Sequence, residues 1–188
     1  MKKDTQPPSA PRGKSAKPPS SAAKPLAEAL PASAPARGRR WLMKCEPAAY
    51  TISDLQRDGT TTWEGVRNYQ ARNFMRDMKR GDRILFYASN AEPSGVTGIA
   101  EISREAFPDP FALKKGHAYY DPKATAEEPI WVSVELKFVE KFDDIVSLET
   151  LKSTKGLEEM VVTKKGSRLS IQPVTEEEFE IVAKLGRR

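Results

Sequence analysis

The chain has one cysteine, Cys45, and one histidine, His117, among its 188 residues. A single cysteine cannot form an internal disulfide, which suits a reducing compartment. One His and one Cys far apart do not supply a zinc site, and no metal or cofactor is expected. A Ser-His-Asp or Cys-His hydrolase would have to rest wholly on His117, which follows Gly116 in a polar stretch. No apolar run approaches the roughly 20 residues of a membrane span, so no membrane partner is expected. The basic N-terminus has no apolar segment behind it, which argues against a secretory signal. Eight prolines before Trp41 would break the amphipathic helix of a transit peptide.

Aromatic residues are missing from residues 1–40, which are rich in Pro, Ala, Ser and Lys. Such a segment cannot bury enough apolar area to offset its ordering entropy. The sequence therefore predicts a disordered basic tail over 1–40 and a folded domain over 41–188. The tail holds nine Lys/Arg against two acids, a net +7, whereas the other 148 residues hold 22 bases and 24 acids, a net −2. The positive charge belongs to the tail, so any nucleic-acid binding by the folded part must use a local patch or pocket. The tail itself reads equally as a salt-sensitive phosphate-binding arm or as a solubilising extension.

Within 41–188 the pattern alternates strands and helices. Trp41–Cys45 reads as a first strand stopped by Pro47. Ser53 followed by Gln56 has capping-box spacing and opens a helix that Gly59 ends. The turn Thr60-Thr61-Thr62 leads to Trp63. A helix from about Arg67 to Lys79 places Ala71, Phe74, Met75 and Met78 on one face, and Gly81 stops it. Arg72, Arg76 and Arg80 recur every four residues on another face, which is either a solvated face or a backbone-phosphate surface. Asn73 lies beside them.

Arg83–Ser89 and Gly95–Ile102 read as a hairpin pair. Residues 105–129 form a long loop punctuated by prolines, a length that points to function inside a compact domain. In Ile130–Phe138 the residues Val132, Val134, Leu136 and Phe138 alternate with polar positions, which puts Trp131 on the polar face or in a cleft at the strand's start. A helix is expected over Ile145–Lys152, a helical turn or strand over Leu157–Thr163, and a last strand over Ser167–Val174. Thr175 to Glu178 opens the final helix with a second capping box. The fold class is α+β, with a small curved or barrel-like sheet and peripheral helices.

Several strings resemble EVE domains, of the thymocyte nuclear protein family. Trp41-Leu42-Met43-Lys44-Cys45-Glu46-Pro47 is similar to their opening, and Trp63-Glu64-Gly65-Val66-Arg67-Asn68-Tyr69-Gln70-Ala71-Arg72-Asn73 to their central signature. Phe86-Tyr87-Ala88-Ser89-Asn90, Tyr119-Tyr120-Asp121-Pro122-Lys123 and Arg168-Leu169-Ser170-Ile171-Gln172-Pro173-Val174 are similar to later motifs in the same order. The likeness covers about 41–186 and implies a PUA-like fold related to YTH and ASCH domains. It implies recognition of modified bases in nucleic acid, modified cytosine in DNA foremost, with a role in RNA modification as the competing idea. Catalysis is not generally implied. Relatives usually carry Ser at the position of Cys45 and His at that of Ala88, and both departures remove hydrogen-bonding capacity.

A modified base is read whole only when it is extruded from the duplex, at a cost of a few kcal/mol, and an aromatic platform returns roughly 1–3 kcal/mol by stacking. Trp63 is the first choice for that platform. Arg67 and Asn68, near a helix start, suit phosphate and a base edge, although Asn there is equally a cap. Tyr87, Ser89, Asn90, Trp131, Ser170, Gln172 and Cys45 are the other candidates for the pocket. Lys44 and Glu46 join them, and also carry a rival reading as an ASCH-like hydrolase of modified nucleosides. A third reading is a protein-interaction module acting through the tail. The chain is expected to be monomeric, with nucleic acid as partner, and cytoplasmic, or nuclear in a eukaryote.

Overall fold

The computed structural model describes residues 38–188. Most of the expected tail, residues 1–37, lies outside the described residues. Residues 38–40 belong to the fold, since the backbone N–H of Arg39 donates to Asp82 Oδ1 at 2.8 Å.

Six strands make one sheet: β1 (Arg40–Cys45), β2 (Thr60–Trp63), β3 (Arg83–Ala88), β4 (Gly95–Pro108), β5 (Val132–Ser147) and β6 (Ile171–Val174). Their spatial order is β2-β5-β4-β3-β1-β6. Only β1 and β3 run parallel. Five helices surround the sheet: α1 (Ile52–Asp58), α2 (Tyr69–Asp77), α3 (Pro110–Leu113), α4 (Leu148–Ser153) and α5 (Glu176–Gly186). This is the α+β, PUA-like curved sheet with peripheral helices that the sequence predicts. Among the described residues no helix is long and apolar enough to cross a membrane.

The curvature can be read from one contact. β2 and β3 are three strand spacings apart in the sheet, about 14 Å if it were flat. Yet the Trp63 and Phe86 rings, one from each strand, lie 5.7 Å apart at an interplanar angle of 86°. The sheet must therefore curl towards the face that carries both. That concave face holds Trp41, Met43, Ile84, Phe86, Val134 and Leu136, with α1 and α2 packed on it through Ile52, Leu55, Ala71 and Met75. The convex face holds Leu42, Leu85, Tyr87 and Val96, covered by Leu151 of α4 and Phe179 and Val182 of α5. A side chain on Gly98 would meet Ile52 Cγ1 at 2.7 Å, so glycine there lets α1 lie close against the concave side.

Several local expectations need adjusting. The cap of α1 is Thr51, whose Oγ1 accepts from Asp54 N at 3.1 Å while Asp54 Oδ2 accepts from Thr51 N at 2.9 Å. The box is Thr51–Asp54 because the chain turns two residues earlier than Ser53. The three threonines form β2 rather than a turn, since β5 offers them an edge to pair with. α2 starts at Tyr69 and ends before Met78, whose ψ of 139° is extended. Arg80 therefore lies beyond the helix, and the basic stripe on α2 is Arg72 and Arg76 alone. β4 and β5 are longer than expected, and Ile145–Ser147 extend β5 instead of opening α4. Leu157–Thr163 contains a short 3-10 turn at Val161–Thr163. Ser167–Ser170 precede β6.

Candidate nucleic-acid interface

Register divides the expected site residues between the two faces of the sheet. Cys45 pairs with Ala88 and Met43 with Phe86, so Cys45, Ala88 and Phe86 share the concave face with Trp63. Lys44 and Tyr87 also pair, but on the convex face. Gln172 joins them there as the partner of Leu42. It is buried, and its Nε2 donates to Ser167 Oγ at 2.9 Å and Leu169 O at 2.7 Å. Tyr87 is buried and donates through its hydroxyl to Ser94 Oγ at 3.2 Å. Lys44 Nζ donates to Ser167 O at 3.2 Å and sits 5.7 Å from the Tyr87 ring centroid. Partial burial lowers the Lys44 pKa from its ordinary value. Ser170 accepts from Lys44 N through its carbonyl at 2.8 Å.

Glu46 and Asn90 meet at the end of the sheet, where Asn90 Nδ2 donates to Glu46 Oε1 at 2.7 Å. Asn90 has φ 52°, the left-handed region that Asn tolerates. Ser89 N donates to Cys45 O at 2.8 Å. Lys44 and Glu46 have different partners and do not meet.

The three tryptophans are not equivalent. Trp41 is buried and its Nε1 donates to buried Asp82 Oδ2 at 2.8 Å. Trp131 is buried and its Nε1 donates to Asp121 Oδ2 at 2.7 Å. It lies just before β5, under the long loop and against Tyr69 at 4.9 Å, so it is a covered ring and not one on an open polar face. Trp63 is half-buried, and among the described residues its indole N–H meets no acceptor. It ends β2, packs on the concave core and is held edge-to-face by Phe86. Beyond Phe86 opens a cleft of about 380 Å³, bounded by Tyr50, Ile52, Phe86, Ala88, Pro93 and Lys141 among others. That volume is in the range of small-molecule sites. Cys45 is partly buried beside Ala88, and burial raises its thiol pKa.

The segment after Trp63 is clamped. Gly65 has φ 76°, and a Cβ there would lie 2.7 Å from the Tyr119 ring, so only glycine suits both the backbone and the neighbour. Arg67 Nη1 donates to Asp109 Oδ2 at 2.7 Å, and Arg67 Nε donates to Tyr119 O at 3.0 Å. The Asp109 side chain is fully buried. It also accepts from Gly65 N at 3.0 Å and Phe111 N at 2.9 Å. Arg67 thus ties the long loop to the Trp63 turn, and its charge is met inside the protein. Asn68 is the α2 cap, its Oδ1 accepting from Gln70 N at 2.9 Å and Ala71 N at 3.0 Å. Among the described residues the amide N–H2 of Asn68 meets no acceptor.

Arg72 Nη1 donates to Ile130 O at 3.2 Å, and Arg76 Nη2 to Pro129 O at 3.1 Å. Asn73 Oδ1 accepts from Arg72 Nη2 at 2.8 Å. Sequence reasoning missed Asp109, the buried anchor. Its signal was the Asp109-Pro110 pair, a helix cap followed by proline at the first helical position. Among the described residues no group of His, Cys, Asp and Glu is placed to hold a metal ion.

A family model for the EVE domain matches residues 39–185. Human thymocyte nuclear protein 1 is 40% identical over 163 residues, 77% of this chain and 72% of that one. A structure of human THYN1 protein in complex with DNA containing 5-methylcytosine is similar with a TM-score of 0.74 and 38% identity, covering 80% of this chain and 98% of that one. A protein from Pseudomonas syringae is similar with a TM-score of 0.74 and 46% identity, covering 78% and 98%.

Proposed function

The chain belongs to the EVE domain family, and from that premise we propose that its folded part binds nucleic acid by taking a modified base onto the concave side of the sheet, against Trp63. A modified cytosine in DNA is the favoured ligand, the class held by the human relative in its complex. One observation carries the reading. Of three tryptophans, two are buried with their N–H groups bonded to aspartates. Trp63 alone is half open with its donor unspent. Phe86 holds the ring edge-on, so its orientation is set before any base arrives.

The folded part, residues 38–188, holds 24 bases and 24 acids and so carries no net charge, so affinity must come from stacking and local contacts rather than bulk charge. Asn68 contributes a free amide donor close in sequence to the platform. Lys44 and Glu46 are engaged with different partners, which supports binding over hydrolysis. The protein would act where its DNA lies, in the nucleus if the cell is eukaryotic.

The test is fluorescence anisotropy of the full chain with two duplexes that differ by one methyl group on one cytosine. The methylated duplex binds more tightly, and Trp63→Ala removes the difference. Trp63→Phe, which refills most of the space, guards against a folding artefact and keeps part of the preference. Equal dissociation constants for the two duplexes with the unaltered chain would refute the reading.

A further inference from the structure

Beyond the pocket, a second aromatic surface is built beside it. Among the described residues the exposed large hydrophobic side chains are Tyr69 at 59%, Leu113 at 39% and Tyr119 at 44%. Both tyrosines belong to one stack. Tyr69 lies 4.9 Å from Trp131, the Arg67 guanidinium lies 5.3 Å from Trp131, and the same guanidinium lies 5.2 Å from Tyr119. His117 continues the stack at 5.6 Å from Tyr119.

The two exposed rings are held in place. Tyr119 rests on Gly65, where no side chain could fit beneath it. Tyr69 is the first residue of α2, braced by Trp131 and by the Arg72 guanidinium at 4.7 Å. Little rotamer freedom remains to be lost on binding, which raises the return on any stacking contact.

Arginine charge lies against the rings, and the neighbouring carboxylates Asp109 and Asp121 are already engaged by Arg67 and the Trp131 N–H. Arg72 and Arg76 donate to the carbonyls of Ile130 and Pro129 and to the neutral amide of Asn73. Among the described residues neither forms an ion pair with a carboxylate. Arg72 therefore borders Tyr69, and Arg76 follows one turn along α2, two guanidinium groups without a carboxylate partner among the described residues in a domain whose charges balance. Aromatic faces lined by arginine charge are the chemistry of single-stranded nucleic-acid binding, where bases stack and phosphates are neutralised. The patch is linked to the Trp63 platform along the chain, because Trp63, Gly65, Arg67 and Tyr69 lie on one short segment.

We propose that Tyr69 and Tyr119, flanked by Arg72 and Arg76, form a stacking surface for unpaired nucleotides of the strand next to the base held at Trp63. The proposal rests on the base-binding reading but assigns a different role. Trp63 discriminates between bases, whereas the tyrosine surface holds the strand opened around the extruded base whatever its sequence.

The experiment uses the full chain with methylated and unmethylated duplexes and with a single-stranded oligonucleotide of the same sequence. Tyr69→Ala and Tyr119→Ala each weaken all three complexes about 5- to 150-fold, the scale of one lost stacking contact, with the methyl preference kept. Tyr69→Phe, which keeps the ring, recovers most of the loss. Arg76→Gln flattens the dependence of log affinity on log salt by about 0.7–0.9. If both alanine variants bind nucleic acid as the unaltered chain does, the proposal is overturned, with the Trp63 reading intact. Failure of Tyr69→Phe to recover binding overturns the stacking role as well. If the tyrosine variants weaken binding while Trp63→Ala leaves the methyl preference untouched, the base-pocket reading falls and the stacking surface stands.

Discussion

Asp109→Ala should be among the most damaging single substitutions in this domain. The carboxylate is fully buried and meets three donors: Gly65 N, Phe111 N and the Arg67 guanidinium. Removing it strands two backbone N–H groups, each costing about 1–3 kcal/mol if no water reaches it. It also strands a charge. Breaking a fully buried ion pair costs about 3–5 kcal/mol, but the Arg67 side chain is 22% exposed and keeps its bond to the Tyr119 carbonyl. The loss should therefore fall at about 3 kcal/mol, a large share of a typical domain stability of about 5–15 kcal/mol. For a domain of this size that lowers Tm by about 6–12 °C. Asp109→Asn keeps an acceptor and loses the charge, so it should cost clearly less. Urea unfolding followed by tryptophan fluorescence measures both. A loss below about 1 kcal/mol for Asp109→Ala, or equal losses for Asn and Ala, would refute the clamp.

Two further outcomes follow from the same geometry. Cys45→Ser combined with Ala88→His installs the hydrogen-bonding groups that the resemblance to EVE domains implies there, on paired residues of one wall. Anisotropy across a panel of modified-cytosine duplexes should show a changed order of preference, and an unchanged order would place this wall outside the site. Asp121 is held below its ordinary carboxylate pKa, first by the Trp131 N–H and then by the Lys123 backbone N–H. A lowered folded-state pKa gives stability that is present above the ordinary value and lost as pH falls through the lowered one. Asp121→Asn should thus be less stable than the unaltered chain near pH 7, with the gap closing in acid; a gap independent of pH would reject this anchor.

What the sequence makes readable here is local. The strand at Trp41, the helix after Thr175 with its capping box and the glycine stop at Gly59 each depend on residues a few positions apart. The errors arise where a distant partner decides. Thr60-Thr61-Thr62 reads as a turn until β5 supplies an edge. Ile145–Ser147 read as helical until β4 pairs with them, Ser147 against Gly95 and Val146 against Val96. Trp131 looks misplaced on a polar face until Asp121, ten residues upstream, takes its N–H and Tyr69 covers its ring. Asp109 is hidden among loop prolines because its three donors come from two separate stretches of chain.

The membership of the site was partly readable from parity alone. Successive strand residues face opposite ways, so Lys44 and Cys45 cannot both line one pocket, nor can Tyr87 and Ala88. Parity does not say which set faces the ligand. Register does, because Met43 pairs with Phe86 and Phe86 touches Trp63. The set on the Trp63 side is then Cys45 and Ala88, the two positions at which the resemblance to EVE domains implies Ser and His. On these register-paired residues a thiol and a methyl stand where the resemblance implies hydrogen-bonding groups. The wall facing the proposed base is thereby made more apolar and, at Ala88, roomier. If the proposed base lies against this wall, a bulkier or less polar cytosine modification should bind more tightly than one that needs a hydroxyl and an imidazole, and the modified-cytosine panel measures that order.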